Sequence, residues 1–280
     1  MFKDKKVITV TPAGRKRYLE LLVPYLLANR HVIDKHRFWV NTNNLNDIQY
    51  MESLAESYPD FFELEYLPEN QSYEGNYSIC HFFRNCCDPE AVYVRLDDDV
   101  CYIHQGTIEA LVAYRLANPE PFLIYPMIIN NCVLMHLLQE AGAMSQELGM
   151  AGYTCVGKGW NNPQMAHLAH HEFLTALMSA DLSQYQLPDR VFDDYVRVSI
   201  NCICWTGEDF SKFNGEVGAD EEQWLAVDKP KMLGRPNALC GRGLVVHFAF
   251  HPQRHYLESE TNDLLCYQVV AKHLHGPLPS

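Results

Sequence analysis

The chain has 280 residues, 48% of them hydrophobic and 20% charged, which excludes a disordered protein and allows a full hydrophobic core. Its 22 lysines and arginines against 35 aspartates and glutamates give a net charge of −13, which disfavours nucleic acid or an anionic membrane as the main partner. The ten cysteines lack CxxC spacing and no stretch suits a signal peptide or a membrane span, so we expect reduced, buried cysteines and a cytoplasmic protein, in the host cytoplasm if it is viral.

Strand and helix signals alternate through the first hundred residues. Strands are predicted at 6–11, 36–43, 62–68 and 91–96 from runs of β-branched and aromatic residues. Helices are predicted at 15–29, 46–59 and 72–87, with Asn46 or Asp47 as the cap of the second. These units predict an α/β fold with a mostly parallel sheet that helices cover on both faces.

The pattern is looser after residue 126. Residues 131–144 fit a helix or a strand followed by a helix, and the Gly-rich stretch 150–163 predicts a loop. The remaining predicted elements are a helix at 163–182, a strand and turn at 196–210, a strand at 244–250 and a helix at 261–275 capped by Thr261. No repeat, linker or domain boundary is visible, so we expect one domain over residues 1–280.

Polar residues follow three of the predicted strands. Thr11 and Gly14 come after the first strand, residues 41–43 after the second, and residues 97–99 after the fourth. Ligands of open α/β sheets bind at the carboxyl ends of the strands, so these residues are expected to share one crevice. For the first two stretches, ordinary turn formation is an equally good explanation.

Three adjacent carboxylates directly follow the apolar run 91–96. On an extended backbone Asp97 and Asp99 point to one side and Asp98 to the other, so the first two can converge on one cation. A hard divalent ion takes carboxylates and completes its shell with water and phosphate oxygens. The sequence therefore predicts a metal and diphosphate site. The alternatives are a solvated acidic turn or a calcium loop, although the EF-hand spacing is absent.

Several segments resemble a known family. HFFRN and YVRLDDDV, at 81–85 and 93–100, resemble the DxD signature of glycosyltransferases with the GT-A fold, and FNGEVGADEEQWL at 213–225 resembles that family's glycine-rich loop and acidic motif. The stretches TPAGRKRYLELLVPYL, WVNTNN and LGRPNALCGRGLVVHFAFHPQR are similar to small GT-A enzymes of chloroviruses and some bacteria. The resemblance covers most of the chain. It implies a Rossmann-like GT-A domain in which residues 1–125 bind a nucleotide sugar and residues 126–280 form the acceptor side.

The resemblance also implies an activity. The expected reaction is the inverting, metal-dependent transfer of a sugar from a UDP-linked donor to a glycan hydroxyl. UDP-xylose is the nearest donor, and a fucose of a viral capsid N-glycan is the nearest acceptor. Asp97, Asp99 and His247 are implied ligands of Mn²⁺ or Mg²⁺, and a histidine nitrogen favours manganese. A lone histidine in an apolar strand is otherwise a hydrogen-bonded core residue.

The acidic run at 220–222 departs from the family's usual Glu-Asp ending. Glu222 is the first candidate for the general base, with Glu221 and Asp220 as alternatives, and the run also suits the start of a helix. The residues expected to contact the donor are Thr11, Pro12, Gly14, Arg15, Asn41, Asn43, Arg84, Arg95, Asp97 and Asp98. Arg95 could equally be a buried ion-pair partner. Trp160, Trp205 and Trp224 could contact sugar rings or lie in the core.

Two other functions remain open from the sequence. A metal-dependent nucleotidyltransferase needs the same acidic residues, together with a glycine-rich, basic phosphate loop near the N-terminus, and TPAGRKR at 11–17 is a faint version of such a loop. A non-catalytic carbohydrate-binding protein would keep the fold alone. A zinc site at His167, His170 and His171 is disfavoured. His167 and His171 share one helical face, but no third ligand and no HExxH spacing accompany them.

Overall fold

The computed structural model describes residue 2 and residues 4–276. The strands are β1 Lys6–Ala13, β2 Lys35–Val40, β3 Phe62–Glu65, β4 Ala91–Leu96, β5 Val100–Ile103, β6 Ile124–Ile129, β7 Arg190–Phe192, β8 Cys202–Thr206 and β9 Asn237–His247. The α-helices are α1 Lys16–Ala28, α2 Leu45–Ser57, α3 Thr107–Ala117, α4 Cys132–Glu140, α5 Lys158–Asn161, α6 Pro163–Met178, α7 Gly207–Ser211, α8 Glu221–Gln223, α9 Lys229–Leu233, α10 His251–Ser259 and α11 Asp263–His275. Two 3₁₀ helices span Gly75–Asn85 and Ser183–Tyr185, and a π-helical turn, Trp224–Asp228, joins α8 to α9.

All nine strands of the described chain form one sheet, in the order β3-β2-β1-β4-β8-β6-β9-β5, with β7 also paired to β9. β1, β2, β3, β4, β6 and β9 run in one direction, and β5, β7 and β8 run against them. The sheet is therefore mostly parallel, and helices flank it. The prediction of an α/β, Rossmann-like fold is confirmed.

The strands at the centre of the sheet are buried over nearly their whole length. Every residue of β4 and β6 is buried, and only Lys6 of β1 is exposed, as expected for parallel strands that are covered on both faces. Trp205 of β8 stacks on Tyr93 of β4, with ring centroids 5.6 Å apart. The core continues into the 3₁₀ helix Gly75–Asn85, where Phe82 stacks on Trp39 of β2 at 5.4 Å. These contacts pack β4 against β8 and the 3₁₀ helix against β2.

The boundaries of several elements differ from the sequence prediction. The cap of α2 is Asn44, whose side chain accepts a hydrogen bond from the Asn46 amide at 3.0 Å, so the predicted cap at Asn46 or Asp47 is wrong. The predicted helix at 72–87 is a 3₁₀ helix, and α11 begins after Asn262 rather than after Thr261. The sequence predicts no element for helices α3 and α10 or for strands β5, β6 and β7.

The predicted division of the chain at residue 125 falls inside β6, and both the division and the single-domain assignment remain predictions. Eight of the ten cysteines are buried. In the described part of the chain, no helix combines the length and the apolar character that crossing a bilayer requires.

Candidate active site

A cleft of ≈ 890 Å³ opens at the carboxyl ends of the parallel strands β1, β2 and β4. Gly14 follows β1, Asn41 follows β2, and the three aspartates follow β4, and all of them line the cleft. The carboxyl ends of neighbouring parallel strands lie at one edge of a sheet, which explains why polar residues far apart in the chain meet here. His247, at the end of β9, lines the same cleft.

The three aspartates form a turn. β4 ends at Leu96 and β5 begins at Val100, so the aspartates connect two strands and are not the extended strand end that the sequence predicted. Asp98 is nevertheless separate from the other two, because its Oδ2 accepts the Gly14 amide at 3.2 Å and its carboxylate pairs with Arg15. The side chains of Asp97 and Asp99 can therefore still converge on one cation.

Arginines offset the charge of this turn. Arg15 Nη2 lies 3.0 Å from Asp99 Oδ2, in addition to its pairing with Asp98, and Arg254 Nη2 donates to the same Asp99 oxygen at 3.1 Å. Arg95 Nη2 donates to Asp97 Oδ1 at 2.9 Å. Buried carboxylates need such partners, since an unpaired buried charge is strongly destabilising. Arg95 is therefore an ion-pair partner of the turn, which was the alternative left open by the sequence.

Asp97, Asp99 and His247 form a group whose ligand atoms lie close enough together to hold a metal ion. One ligand atom from each lies within 4.8 Å of the other two, the single such group found among the described residues. Asp99 Oδ1 is buried without a hydrogen-bond partner there, and His247 Nε2 lies 3.4 Å from it. Burial would raise the pKa of Asp99, but Arg15, His247 and Arg254 outweigh burial and lower it, which keeps the carboxylate ionised. Two carboxylates and one imidazole fit a divalent cation, and manganese accepts this mixture of oxygen and nitrogen.

The three carboxylates at 220–222 have different environments. Asp220 accepts the Gln223 amide at 3.1 Å, which starts α8, and Arg197 holds Asp220 and Glu222 at 2.9 Å each. Glu221 is 9% exposed, accepts from Arg95 at 3.1 Å through Oε1, and has no partner for Oε2 within the described residues. Burial raises the pKa of Glu221 to about 7. Glu221, rather than Glu222, is the carboxylate with a buried unshared oxygen.

The structure does not bring every predicted residue to the cleft. Thr11 is buried inside β1, Asn43 is exposed ahead of α2, and Arg84 is exposed near Glu216, so none of the three lines the cleft. Pro12, Gly14, Arg15, Asn41, Arg95, Asp97, Asp98, Asp99, Asp220, Glu221, Glu222 and His247 do line it. Their roles toward a ligand remain predictions.

The tryptophan and histidine candidates lie in different places, some in the cleft and some in the core. Trp160 lines the cleft, whereas Trp205 is fully buried in the core. His170 is buried and donates from Nε2 to the Phe248 carbonyl at 2.8 Å, so its Nδ1 accepts from the Tyr267 hydroxyl at 3.0 Å. Both ring nitrogens of His170 are committed to the core, which agrees with packing rather than zinc binding.

Sequence reasoning missed three residues of the site. Arg254 holds Asp99, Arg197 holds the acidic run, and Asn201 Nδ2 donates to Asp97 Oδ2 at 3.1 Å. Arg254 lies in α10 and is the last residue of the quoted stretch LGRPNALCGRGLVVHFAFHPQR, and an arginine so close to His247 is a signal that could have been used. Arg197 and Asn201 precede β8, and nothing local to them indicates that β8 lies beside β4.

No family model and no curated protein matches the sequence. A solved mycobacterial protein matches with a TM-score of 0.50 and 12% identity, over 99% of this chain and 76% of that chain. A 4-diphosphocytidyl-2C-methyl-D-erythritol synthase from Anaerococcus prevotii matches with a TM-score of 0.45 and 10% identity, over 96% of this chain and 100% of that one. Another structure with that enzyme name has a TM-score of 0.31 and 11% identity, over 43% and 59%. At such identities the likeness concerns the fold alone.

The names of these matches do not bear out the predicted activity. None of the three is named a glycosyltransferase, and the two that are named for an activity are synthases of a diphosphocytidyl compound. The predicted glycosyltransferase is contradicted by these names, and the xylosyltransferase and chlorovirus assignments have no support.

Proposed function

We propose that the chain is a metal-dependent nucleotidyltransferase. It would take a nucleoside triphosphate, join the nucleoside monophosphate to an acceptor and release pyrophosphate. The observation that carries this proposal is the group Asp97, Asp99 and His247, whose ligand atoms lie within 4.8 Å of one another at the strand ends of a large cleft. Gly14 and Arg15, part of the faint phosphate loop in the sequence, contact the adjoining Asp98, and Arg15 also contacts Asp99.

The charge of the cleft supports a requirement for metal. Its seven carboxylates are Glu74, Asp97, Asp98, Asp99, Asp220, Glu221 and Glu222, and its four arginines are Arg15, Arg95, Arg197 and Arg254. A triphosphate is strongly anionic, so an acidic cleft would repel it unless a divalent cation accompanied it. Bound between Asp97, Asp99 and His247, the cation would neutralise phosphate oxygens and the departing pyrophosphate.

The arginines divide into buried and accessible ones. The side chain of Arg95 is 4% exposed and is confined to its two carboxylates, whereas those of Arg15 and Arg254 are 27% and 23% exposed at the cleft. The side chain of Arg197, beside Asp220 and Glu222, is 30% exposed. Arg15, Arg197 and Arg254 are thus the cations that can add contacts to phosphate oxygens, in the bidentate manner typical of arginine. In the reaction, an acceptor oxygen bonds to the α-phosphorus while the bond from that phosphorus to the bridging oxygen breaks, and pyrophosphate leaves.

Calorimetry with each of the four common nucleoside triphosphates tests the proposal. We expect at least one to bind in the presence of Mn²⁺ or Mg²⁺ and to lose binding when EDTA is added. A pyrophosphate-release assay would follow, with sugar phosphates, polyol phosphates and free polyols as acceptors. The proposal is wrong if no triphosphate binds, if binding is independent of metal, or if nucleotide sugars are cleaved to nucleoside diphosphate without any pyrophosphate.

A further inference from the structure

Two consecutive asparagines, Asn130 and Asn131, follow β6 and begin α4. Both are fully buried, and neither lines the cleft as the described residues define it. Buried amides are costly unless their hydrogen bonds are satisfied, so the partners of these two side chains indicate what they are for. Each asparagine leads, through hydrogen bonds, to one ligand of the proposed metal site.

Asn130 determines which ring nitrogen of His247 carries the proton. The backbone carbonyl of Asn130 accepts a hydrogen bond from His247 Nδ1 at 3.1 Å. Because a carbonyl can only accept, Nδ1 carries the proton, and in the neutral ring the lone pair lies on Nε2, the atom 3.4 Å from Asp99 Oδ1. Asn130 has a φ of 60°, a left-handed conformation that asparagine tolerates better than most residues, and this conformation aims its carbonyl at the ring.

The Asn130 side chain holds the chain on the far side of His247. Its Nδ2 donates to the Phe248 carbonyl at 2.8 Å and to Gln253 Oε1 at 3.0 Å. Gln253 in turn donates from Nε2 to the Gly159 carbonyl at 2.7 Å. Asn130 thereby fixes the end of β9 relative to α10, the helix that carries Arg254.

The side chain of Asn131 is connected through Asn201 to Asp97, another member of the group. Its Nδ2 donates to the Ser199 carbonyl and to Asn201 Oδ1, each at 2.9 Å. Because Asn201 Oδ1 accepts from Asn131, the amide nitrogen of Asn201 faces Asp97 and donates to its Oδ2 at 3.1 Å. Asn131 Oδ1 also accepts the Leu134 amide at 3.4 Å as the cap of α4.

We propose that Asn130 and Asn131 are positioning residues that align His247 and Asp97 for a divalent cation. The inference rests on the proposed metal-dependent function. Partners that orient metal ligands typically contribute 10-fold to 100-fold in metal affinity, because they fix ring orientation and carboxylate direction before the ion arrives.

The test measures Mn²⁺ affinity by the electron paramagnetic resonance of free Mn²⁺, and Mg²⁺ affinity by competition, without nucleotide. Asn131→Ser keeps a good helix cap but cannot reach Asn201, and Asn162→Ser is its matched control. Asn162 caps α6 through the same bond, to Met165 at 3.0 Å. We expect Asn131→Ser to weaken Mn²⁺ and Mg²⁺ binding equally, by about 10-fold to 100-fold, since Asp97 serves both ions. We expect Asn162→Ser to leave both affinities unchanged.

A second pair of variants tests Asn130. Asn130→Gly keeps the left-handed conformation and the carbonyl that faces His247, whereas Asn130→Ala strains it. We expect Asn130→Ala to reduce Mn²⁺ affinity more than Mg²⁺ affinity, because an imidazole ligand suits manganese better, and Asn130→Gly to change this ratio less. A general loss of structure would weaken both ions alike, so equal losses in Asn131→Ser support the positioning role only if its circular dichroism remains that of the parent. If Asn131→Ser does not fold, the comparison of Asn130→Ala with Asn130→Gly decides whether the positioning role is correct.

The possible results separate the two proposals. If the parent chain binds Mn²⁺ and neither asparagine affects it, the positioning role is wrong and the proposed function stands. Equal losses in Asn131→Ser and Asn162→Ser would also refute the positioning role. If the parent does not bind Mn²⁺ without nucleotide, the positioning role is wrong, and the calorimetry with triphosphates decides the proposed function.

Discussion

Glu221 makes the stability of the protein depend on pH in a way that one substitution removes. Burial raises the pKa of this carboxyl from 4.5 to about 7, against the pull of Arg95, and the charges of Asp97 and Glu222 add to the rise. The folded chain therefore holds a proton between these two pH values that the unfolded chain has released. The contribution of Glu221 to stability is complete below pH 4.5 and is lost as pH rises through about 7.

The size of the effect follows from the two pKa values. A difference between 4.5 and about 7 corresponds to about 3 kcal/mol in the free energy of unfolding. Between pH 5 and pH 8 the linkage relation gives a fall of about 2–3 kcal/mol from this residue. Glu221→Gln cannot titrate, so its unfolding free energy should decline by that much less than the parent's across the same interval.

Urea unfolding at several pH values, in moderate salt and without divalent ions, measures this difference. Glu56→Gln is the control, because Glu56 is exposed and its replacement should leave the pH dependence of the parent unchanged. Parallel curves for Glu221→Gln and the parent would refute the reasoning, since they would show that Glu221 titrates alike in the folded and unfolded chains.

Three further predictions concern the cleft and the core. Replacing Asp97 and Asp99 together with asparagine should abolish Mn²⁺ binding in calorimetry while the circular dichroism remains that of the parent, and retained binding would contradict the metal site. Gly14→Ala should weaken nucleotide binding, because the new Cβ would lie 2.8 Å from a carbonyl oxygen of the loop after β2. An unchanged dissociation constant would contradict this prediction and show that the loop moves to accommodate the methyl group. Trp205→Ala should lower the free energy of unfolding by about 3–5 kcal/mol in urea titrations, because the side chain is fully buried, and a loss below about 1 kcal/mol would contradict its place in the core.

The first half of the sheet could be predicted because its signals are local. Each of β1, β2 and β4 is an apolar run followed by polar residues, and the rule for parallel sheets then brings those polar ends together. Gly14, Asn41 and the aspartate turn were found in this way. His247 was found only through the family resemblance, whose proposed activity was wrong although its fold was right.

The missed parts depend on contacts between distant segments. β6 contains Pro126, which argues against a central strand, and the structure accommodates it with a shift of register between Pro126 and Met127. α10 buries only Gln253 and Leu257, so it carries little apolar periodicity. The apolar pattern of α10 does not place Arg254, because its position beside Asp99 depends on how α10 packs after β9, and its nearness to His247 in the sequence was the one available signal.

The antiparallel pairing of β5 with β9 has a consequence for how the chain assembles. Val100 pairs with His247, and the Phe248 amide donates to the Asp99 carbonyl at 2.8 Å, so this pairing brings the imidazole beside the aspartate turn. Joining segments so distant along the chain costs the entropy of closing a long loop, so we expect this pairing to form late in folding. A cation would therefore find its ligands assembled only in the finished fold. It would slow unfolding and leave the rate of folding unchanged.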